Sequence, residues 1–265
     1  MIRLIATDLD GTLLNNEHKI SDYNKKIISA VNEKGIKFIL STGRPTSAAI
    51  KFLEDLNIET DMISFNGAMI TDRKGNILYE DNLESHIGKE LIEIAKKYKV
   101  YYQGFLGERW NLSDSKSKWL YFYISIAKIN NYKLGFDNIK DFSFSKFMFI
   151  GENHILKEIA KEIDKKLKDK VYYTFSRPVY LEVHSPKVSK ANALSFLLKK
   201  YNIERENIMA FGDNNNDIEM LELAKISVAV ENAESIVKEK AKYITKSNIE
   251  NGVGYFINEY FNLGL

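Results

Sequence analysis

The sequence predicts an α/β protein: a parallel-sheet core interrupted by an α+β insertion. Three observations carry that expectation. Short apolar runs alternate with amphipathic helical patterns at both ends of the chain, as in sheets buried on both faces. Polar residues able to do chemistry follow directly after those runs, where open parallel sheets bind ligands. The middle third is richer in aromatic residues and reads as strands without that regular alternation.

The elements follow in order. Residues 2–6 form an apolar run of strand length, ended by Asp8, Asp10 and Gly11. From Ser21 a helical pattern sets Ile27, Ile28 and Val31 on one face, and Gly35 stops it. Residues 36–40 are the second strand, ended by Ser41-Thr42-Gly43-Arg44-Pro45. The next helix presents Ile50, Leu53 and Leu56. A short strand at 62–65 ends at Asn66-Gly67. Strand-like runs then lie at 100–105, 146–150, 171–175 and 179–183, with helical patterns at 89–97 and 155–167. Residues 119–127 are so densely apolar that helix and strand both remain open. The parallel grammar returns with a helix at 191–201, whose Leu194, Leu197 and Leu198 share a face. A strand at 208–211 ends at Gly212-Asp213, and 217–223 is helical. A strand at 226–230 and a helix at 235–241 complete the pattern.

Composition narrows the function classes. At 265 residues, with 45% hydrophobic and 28% charged, the chain is ordinary globular material of one large domain or two smaller ones. Lysine and arginine total 38 against 36 acidic residues, too balanced to point to nucleic acid or an anionic membrane. Cysteine is absent, which excludes disulfides, thiolate metal sites and a cysteine nucleophile. No run approaches the roughly 18 apolar residues of a membrane span. The apolar stretch before Asp8 is too short for a signal-peptide core. The expectation is a cytoplasmic protein with no nucleic-acid, membrane or obligate protein partner.

Four clusters carry candidate chemistry. In Asp8-Leu9-Asp10-Gly11-Thr12, strand geometry persisting to Asp10 would point both carboxylates one way, fit for a hard cation. The same residues also make a polar turn; some glycosyl transferases use Asp-x-Asp for a metal and a nucleotide sugar, but the position on the first strand, with Gly-Thr after it, argues against that here. Ser41-Thr42-Gly43-Arg44 offers a hydroxyl and backbone N–H groups for a phosphate, or an N-cap with Pro45 in the first turn. Lys190, opening a helix, would neutralise phosphate charge or be one more solvated lysine. Gly212-Asp213-Asn214-Asn215-Asn216-Asp217 sets Asn216 and Asp217 three and four residues after Asp213. That spacing suits a metal and phosphate site or an Asn-rich capped turn.

Taken together, and in this order, the clusters resemble the haloacid dehalogenase superfamily of phosphotransferases, specifically its Cof-type sugar-phosphate phosphatases. Asn66-Gly67-Ala68, Asn232-Ala233, Thr245-Lys246-Ser247-Asn248 and Gly252-Val253 also fit, so the resemblance runs over almost the whole chain. One departure is visible: many relatives have Lys-Gly where this chain has Lys190-Ala191. The resemblance implies a Rossmann-like parallel-sheet core at 1–82 and 187–265, with an inserted α+β cap at 83–186 that sets substrate specificity. It implies Mg²⁺-dependent hydrolysis of small phosphate monoesters, sugar or cofactor phosphates, through an aspartyl-phosphate. Asp8 would be the nucleophile and Asp10 the proton donor, then acceptor. Mg²⁺ would be held by Asp8, the Asp10 backbone carbonyl and Asp213, supported from behind by Asp217. Thr42, Gly43, Lys190 and Asn216 would hold phosphate oxygens, and Arg44 would face substrate or cap. Arg109, Trp110, Tyr180 and Glu182 are either cap contacts or ordinary packing. Two alternatives stay open. One is a phosphomutase, and the other a noncatalytic phosphometabolite sensor, which would need Asp8 but not Asp10.

Overall fold

The structure is a computed structural model and describes residues 1–127 and 131–265. In chain order the elements are β1 (Leu4–Thr7), α1 (Asp22–Glu33), β2 (Lys37–Ser41), α2 (Thr46–Leu56), β3 (Met62–Ser64), β4 (Met69–Thr71), β5 (Ile77–Glu80), α3 (Ser85–Tyr98), β6 (Tyr101–Leu106), β7 (Arg109–Leu112), α4 (Lys118–Ala127), β8 (Tyr132–Leu134), β9 (Lys146–Ile150), α5 (Asn153–Leu167), β10 (Tyr172–Arg177), β11 (Tyr180–His184), α6 (Lys190–Tyr201), β12 (Ile208–Gly212), α7 (Ile218–Leu223), β13 (Ile226–Val230), α8 (Ser235–Lys240), β14 (Tyr243–Thr245) and α9 (Gly252–Phe261). They form two compact units. One comprises Met1–Leu78 with Ser189–Leu265, the other Tyr79–Val188.

The first unit is built on a sheet of order β14-β13-β12-β1-β2-β3-β4-β5. From β14 to β3 neighbouring strands are parallel. All four residues of the central β1 are fully buried, which is why its sequence is apolar without alternation. Phe38, Leu40, Met209, Phe211 and Val228 of the sheet pack with Ile27, Ile28 and Val31 of α1 and with Phe52 and Leu53 of α2. Ser21 caps α1, its side chain accepting from the Asn24 amide at 3.1 Å. Asn24 in turn accepts from the Gly254 amide at 2.9 Å, so α1 and α9 are joined by a buried polar contact.

Three short strands depart from the sequence expectation. At its β3 edge the expected parallel sheet turns antiparallel, with β4 on β3. Only four residues separate these strands, too few for the crossover that a parallel return requires. β5 and β14 also went unread, because runs of three or four partly exposed residues hold no clear period.

The second unit is a sheet of order β10-β11-β9-β6-β7-β8, antiparallel except for the β7–β8 pair. Alternation decides its two faces. Phe147 and Phe149 of β9, with Leu181 and Val183 of β11, pack under Ile87 and Leu91 of α3 and Ile159 and Ile163 of α5. Residues of the opposite parity include Lys146 and Glu182, a buried ion pair at 2.7 Å. The ambiguous apolar stretch is helix α4, whose Tyr123 packs against Trp110 and Tyr180.

Candidate active site

Strand register gathers the first site residues. Thr7 of β1 lies level with Leu40 of β2 and with Phe211 of β12. The segments following all three strands therefore leave the sheet at the same edge. That edge is the carboxyl end, on either side of β1, where the chain order reverses. Asp8 comes from β1, Thr42 from β2 and Asp213 from β12.

The loop after β1 corrects one premise. The strand ends at Thr7, so strand alternation does not set Asp10 beside Asp8, though its charge still reaches the Asp8 carboxyl. The chain turns instead, with the Leu9 carbonyl accepting from the amides of Leu13 at 3.1 Å and Leu14 at 2.9 Å. Gly11 permits the turn with φ +85°, and a Cβ there would fall 2.5 Å from Asp213 Oδ2. Thr12 then reaches Asp213, its hydroxyl donating to Oδ1 at 2.6 Å. Asp10 faces Arg44, which donates to it from Nε at 2.6 Å and Nη2 at 2.5 Å. His18 Nδ1 lies 3.6 Å from the same carboxylate.

Lys190 is fully buried at the start of α6, behind the Ser189 cap. Its ammonium donates to Asp8 Oδ1 at 2.5 Å and to Asp217 Oδ1 at 2.6 Å. The other Asp217 oxygen accepts the amides of Asp213 at 3.0 Å and Asn214 at 3.1 Å. Both oxygens of Asp217 are thus committed to holding the loop and the lysine.

Thr42 does not cap α2; Pro45 occupies that position. The Thr42 hydroxyl accepts from the Arg44 amide at 3.1 Å, which leaves its own proton to donate. Asn216 reaches this side of the site through Asn66, donating from Nδ2 to Asn66 Oδ1 at 2.9 Å. Asn66 lies against Gly43, since a Cβ on Gly43 would come 2.8 Å from Asn66 Oδ1.

The electrostatics follow from burial and crowding. Burial pushes the Asp8 carboxyl well above the usual carboxylate range; Asp217, Asp213 and Asp10 add to this and Lys190 opposes it. Asp213 is pushed up to about 6 by burial and by Asp217, against the Thr12 hydrogen bond. Burial acts to discharge Lys190, but Asp217 and Asp8 outweigh it and raise its pKa. Burial would raise Asp10, yet the hydrogen bond and charge of Arg44 prevail and its carboxyl is lowered.

Asp8, Asp213 and Asp217 each offer an oxygen within 4.8 Å of the others. Three carboxylates against the one ammonium of Lys190 leave negative charge in excess, and hard oxygen donors suit a cation such as Mg²⁺. This donor set fits a divalent ion. Because Asp217 is spent on Lys190 and two amides, Asp8 and Asp213 are the better placed carboxylates to ligate, with Asp217 orienting them.

Several residues that the sequence reading named only as parts of motifs, without a task of their own, gain one here. Thr12 anchors Asp213, and Asn66 links Gly43 to Asn216. Asn232 donates to the Gly11 carbonyl at 2.7 Å and accepts from the Asn248 amide at 2.9 Å. Asn248 donates to the Leu14 carbonyl at 2.8 Å. The C-terminal asparagines thus brace both ends of the turn after β1. Their place in the family pattern is what flagged them in the sequence, since an isolated asparagine reads as turn. In the second unit Arg109 is exposed, Trp110 stacks on Phe105, Tyr180 is buried, and Glu182 is paired with Lys146. Among the described residues no helix is long and apolar enough to cross a membrane.

A sequence profile for haloacid dehalogenase-like hydrolases matches residues 5–257. The 5-amino-6-(5-phospho-D-ribitylamino)uracil phosphatase YcsE of Bacillus subtilis is 34% identical over 260 residues, covering 98% of this chain and 96% of that protein. YwtE of the same organism, named for the same activity, is 31% identical and covers 97% of this chain and 98% of its own. Among solved structures, a haloacid dehalogenase-like hydrolase from Bacteroides thetaiotaomicron superposes with a TM-score of 0.90 at 29% identity, covering 98% of this chain and all of that one.

Proposed function

The chain belongs to the haloacid dehalogenase-like hydrolase family, and from that premise we propose a Mg²⁺-dependent phosphatase of small metabolites that works through an aspartyl-phosphate on Asp8. The observation that carries the reading is the buried Lys190 ammonium shared by Asp8 and Asp217, beside Asp213. An anionic nucleophile must approach an anionic phosphate, and two like charges at 4 Å repel by about 4 kcal/mol at an effective dielectric of 20. Lys190 offsets part of that repulsion. Asp8, Asp213 and the Asp10 backbone carbonyl would hold Mg²⁺, which supplies further charge neutralisation at the phosphate.

The proposed chemistry has two balanced halves. A carboxylate oxygen of Asp8 attacks phosphorus, the bond from phosphorus to the ester oxygen breaks, and Asp10 protonates the departing alkoxide. Water then attacks the phosphorus of the acyl phosphate and gives a proton to Asp10. The bond to Asp8 breaks and orthophosphate leaves. Thr42, the Gly43 amide and Asn216 would hold the phosphate oxygens throughout. Arg44 keeps Asp10 ionised in the arrangement described, which is the form that takes the proton from water. The first half requires Asp10 protonated, so Arg44 must loosen its grip when substrate binds. We assign residues 83–186 to recognition of the organic part of the substrate, in the role of a cap. The near-balanced charge supports a soluble cytoplasmic metabolite as partner in preference to nucleic acid or a membrane.

The names of YcsE and YwtE make 5-amino-6-(5-phospho-D-ribitylamino)uracil the first substrate to try. Purified protein assayed on that ester and a panel of sugar phosphates, with Mg²⁺ or with chelator, tests the reading. Phosphate release is expected to need the metal. The Asp8→Asn variant should lose at least about a thousandfold in kcat with its melting temperature retained. Full activity in Asp8→Asn would reject the nucleophile. Transfer of phosphate to a second hydroxyl without release would make the enzyme a mutase.

A further inference from the structure

The turn after β3 holds a conformation that needs a reason. Phe65, Asn66 and Gly67 have φ of 51°, 58° and 105°, three successive residues in the left-handed half of the map. Asparagine and glycine tolerate this; a phenylalanine there is a true outlier, and such strain persists only where its surroundings impose it. The surroundings are the proposed phosphate-binding segments of this same unit. The Asn66 amide donates to the Thr42 carbonyl at 3.0 Å, and the Phe65 amide to the Arg44 carbonyl at 3.0 Å. Gly67 lies so close to the start of α6 that a Cβ would fall 2.2 Å from the Ser189 carbonyl oxygen, immediately before Lys190. The Asn66 carboxamide lies over Gly43 and accepts from Asn216 Nδ2 at 2.9 Å.

From this geometry we propose that Asn66 is a positioning residue for phosphate binding: its carboxamide aims Asn216 and fixes its distance from the Thr42–Gly43 loop. The inference rests on the phosphatase reading above and adds to it a residue with a stated task. One N–H of the Asn216 amide is spent on Asn66, so the amide plane is set and its second N–H is left for a phosphate oxygen. The chemistry of residue 66 is constrained in three ways. It must accept a hydrogen bond, tolerate a left-handed backbone, and bring no negative charge beside an anion. Asparagine meets all three. Aspartate meets the first two and fails the third, while glycine meets the last two and fails the first.

Those differences make the test. Wild type, Asn66→Gly, Asn66→Asp, Asn216→Ala and the Asn66→Gly/Asn216→Ala double variant are compared with p-nitrophenyl phosphate as substrate and orthophosphate as inhibitor. Melting temperatures are measured alongside. Asn66→Gly relieves the backbone and should melt at or above the wild-type temperature, yet raise KM and the orthophosphate Ki on the order of tenfold, as one lost hydrogen bond would. Asn66→Asp should be weaker still. The double variant should be no worse than Asn216→Ala alone, because Asn66 acts through Asn216. A wild-type Ki in Asn66→Gly overturns the inference, and so does a double variant whose loss is the product of the two single losses. If the wild-type protein neither hydrolyses p-nitrophenyl phosphate nor is touched by orthophosphate, the phosphatase reading fails and takes this inference with it.

Discussion

Asp10 shows how much a single contact redirects a side chain. Two residues beyond Asp8, it would share a strand face if β1 continued, but the turn closed on the Leu9 carbonyl sends it to Arg44. The guanidinium binds both its oxygens in the planar fork that only arginine provides. This argues against treating Arg44 as a generic cation. Arg44→Lys keeps the charge and surrenders the fork, so Asp10 loses the two-point hold on its ionised form, the form that in the proposed second half takes the proton from water. We expect kcat to fall on the order of tenfold with little change in melting temperature, read by steady-state kinetics and a thermal melt. An unchanged kcat would show that orientation by the fork does not matter to turnover.

At the scale of elements, helix starts carry much of the site. α6 begins where Ser189 accepts the Asn192 amide at 3.2 Å, and its first residue is Lys190. α1 begins in the same way at Ser21 and carries none of the proposed site residues. The two caps therefore make a matched pair. Ser189→Ala and Ser21→Ala should each cost about 1 kcal/mol in denaturant unfolding, the usual worth of such a cap. Only Ser189→Ala should also lower kcat, because fraying its first turn moves Lys190 relative to Asp8. Equal kinetics in the two variants would show that side-chain packing alone holds the lysine. The same scale explains what escaped sequence reading. β4, β5, β7, β8 and β14 are three or four residues long, too short for periodicity to declare itself. α9 contains two glycines that weaken its helical pattern, and its place is secured by packing on α1.

Across the whole molecule, each compact unit carries its own apolar cluster. The second also buries the Lys146–Glu182 pair, with both side chains at most 7% exposed. Burial raises the Glu182 pKa, but the Lys146 charge and His184 outweigh it and hold the carboxyl at about 2. A folded-state pKa below the unfolded value of 4.5 means the stabilisation is complete above pH 4.5 and drains away as pH falls towards 2. The shift corresponds to about 3 kcal/mol. Thermal melts should therefore fall steeply on acidification in the wild type. Glu182→Gln should melt lower at neutral pH, having taken the carboxylate from a buried lysine, and show a flatter acid limb. An acid limb as steep in Glu182→Gln as in the wild type would place the acid sensitivity elsewhere.

The sequence by itself determined the fold class, because short apolar runs bounded by turn residues read as strands buried on both faces, and their alternation with helical patterns points to a parallel sheet. It also drew attention to the clusters holding Asp8, Thr42, Lys190, Asp213, Asn216 and Asp217, which position alone left open between chemistry and turn or cap, and to which only their joint resemblance to the haloacid dehalogenase superfamily gave tasks. What it left open is which of these meet, and through which atoms. Tertiary structure decided that Asp217 spends both oxygens on Lys190 and the Asp213 loop, that Asp10 turns to Arg44, and that a strained turn at Asn66 joins Gly43 to Asn216. The reason is physical. A strand end says where a side chain enters the site, but the direction it takes is set by partners that lie dozens to hundreds of residues away in the chain.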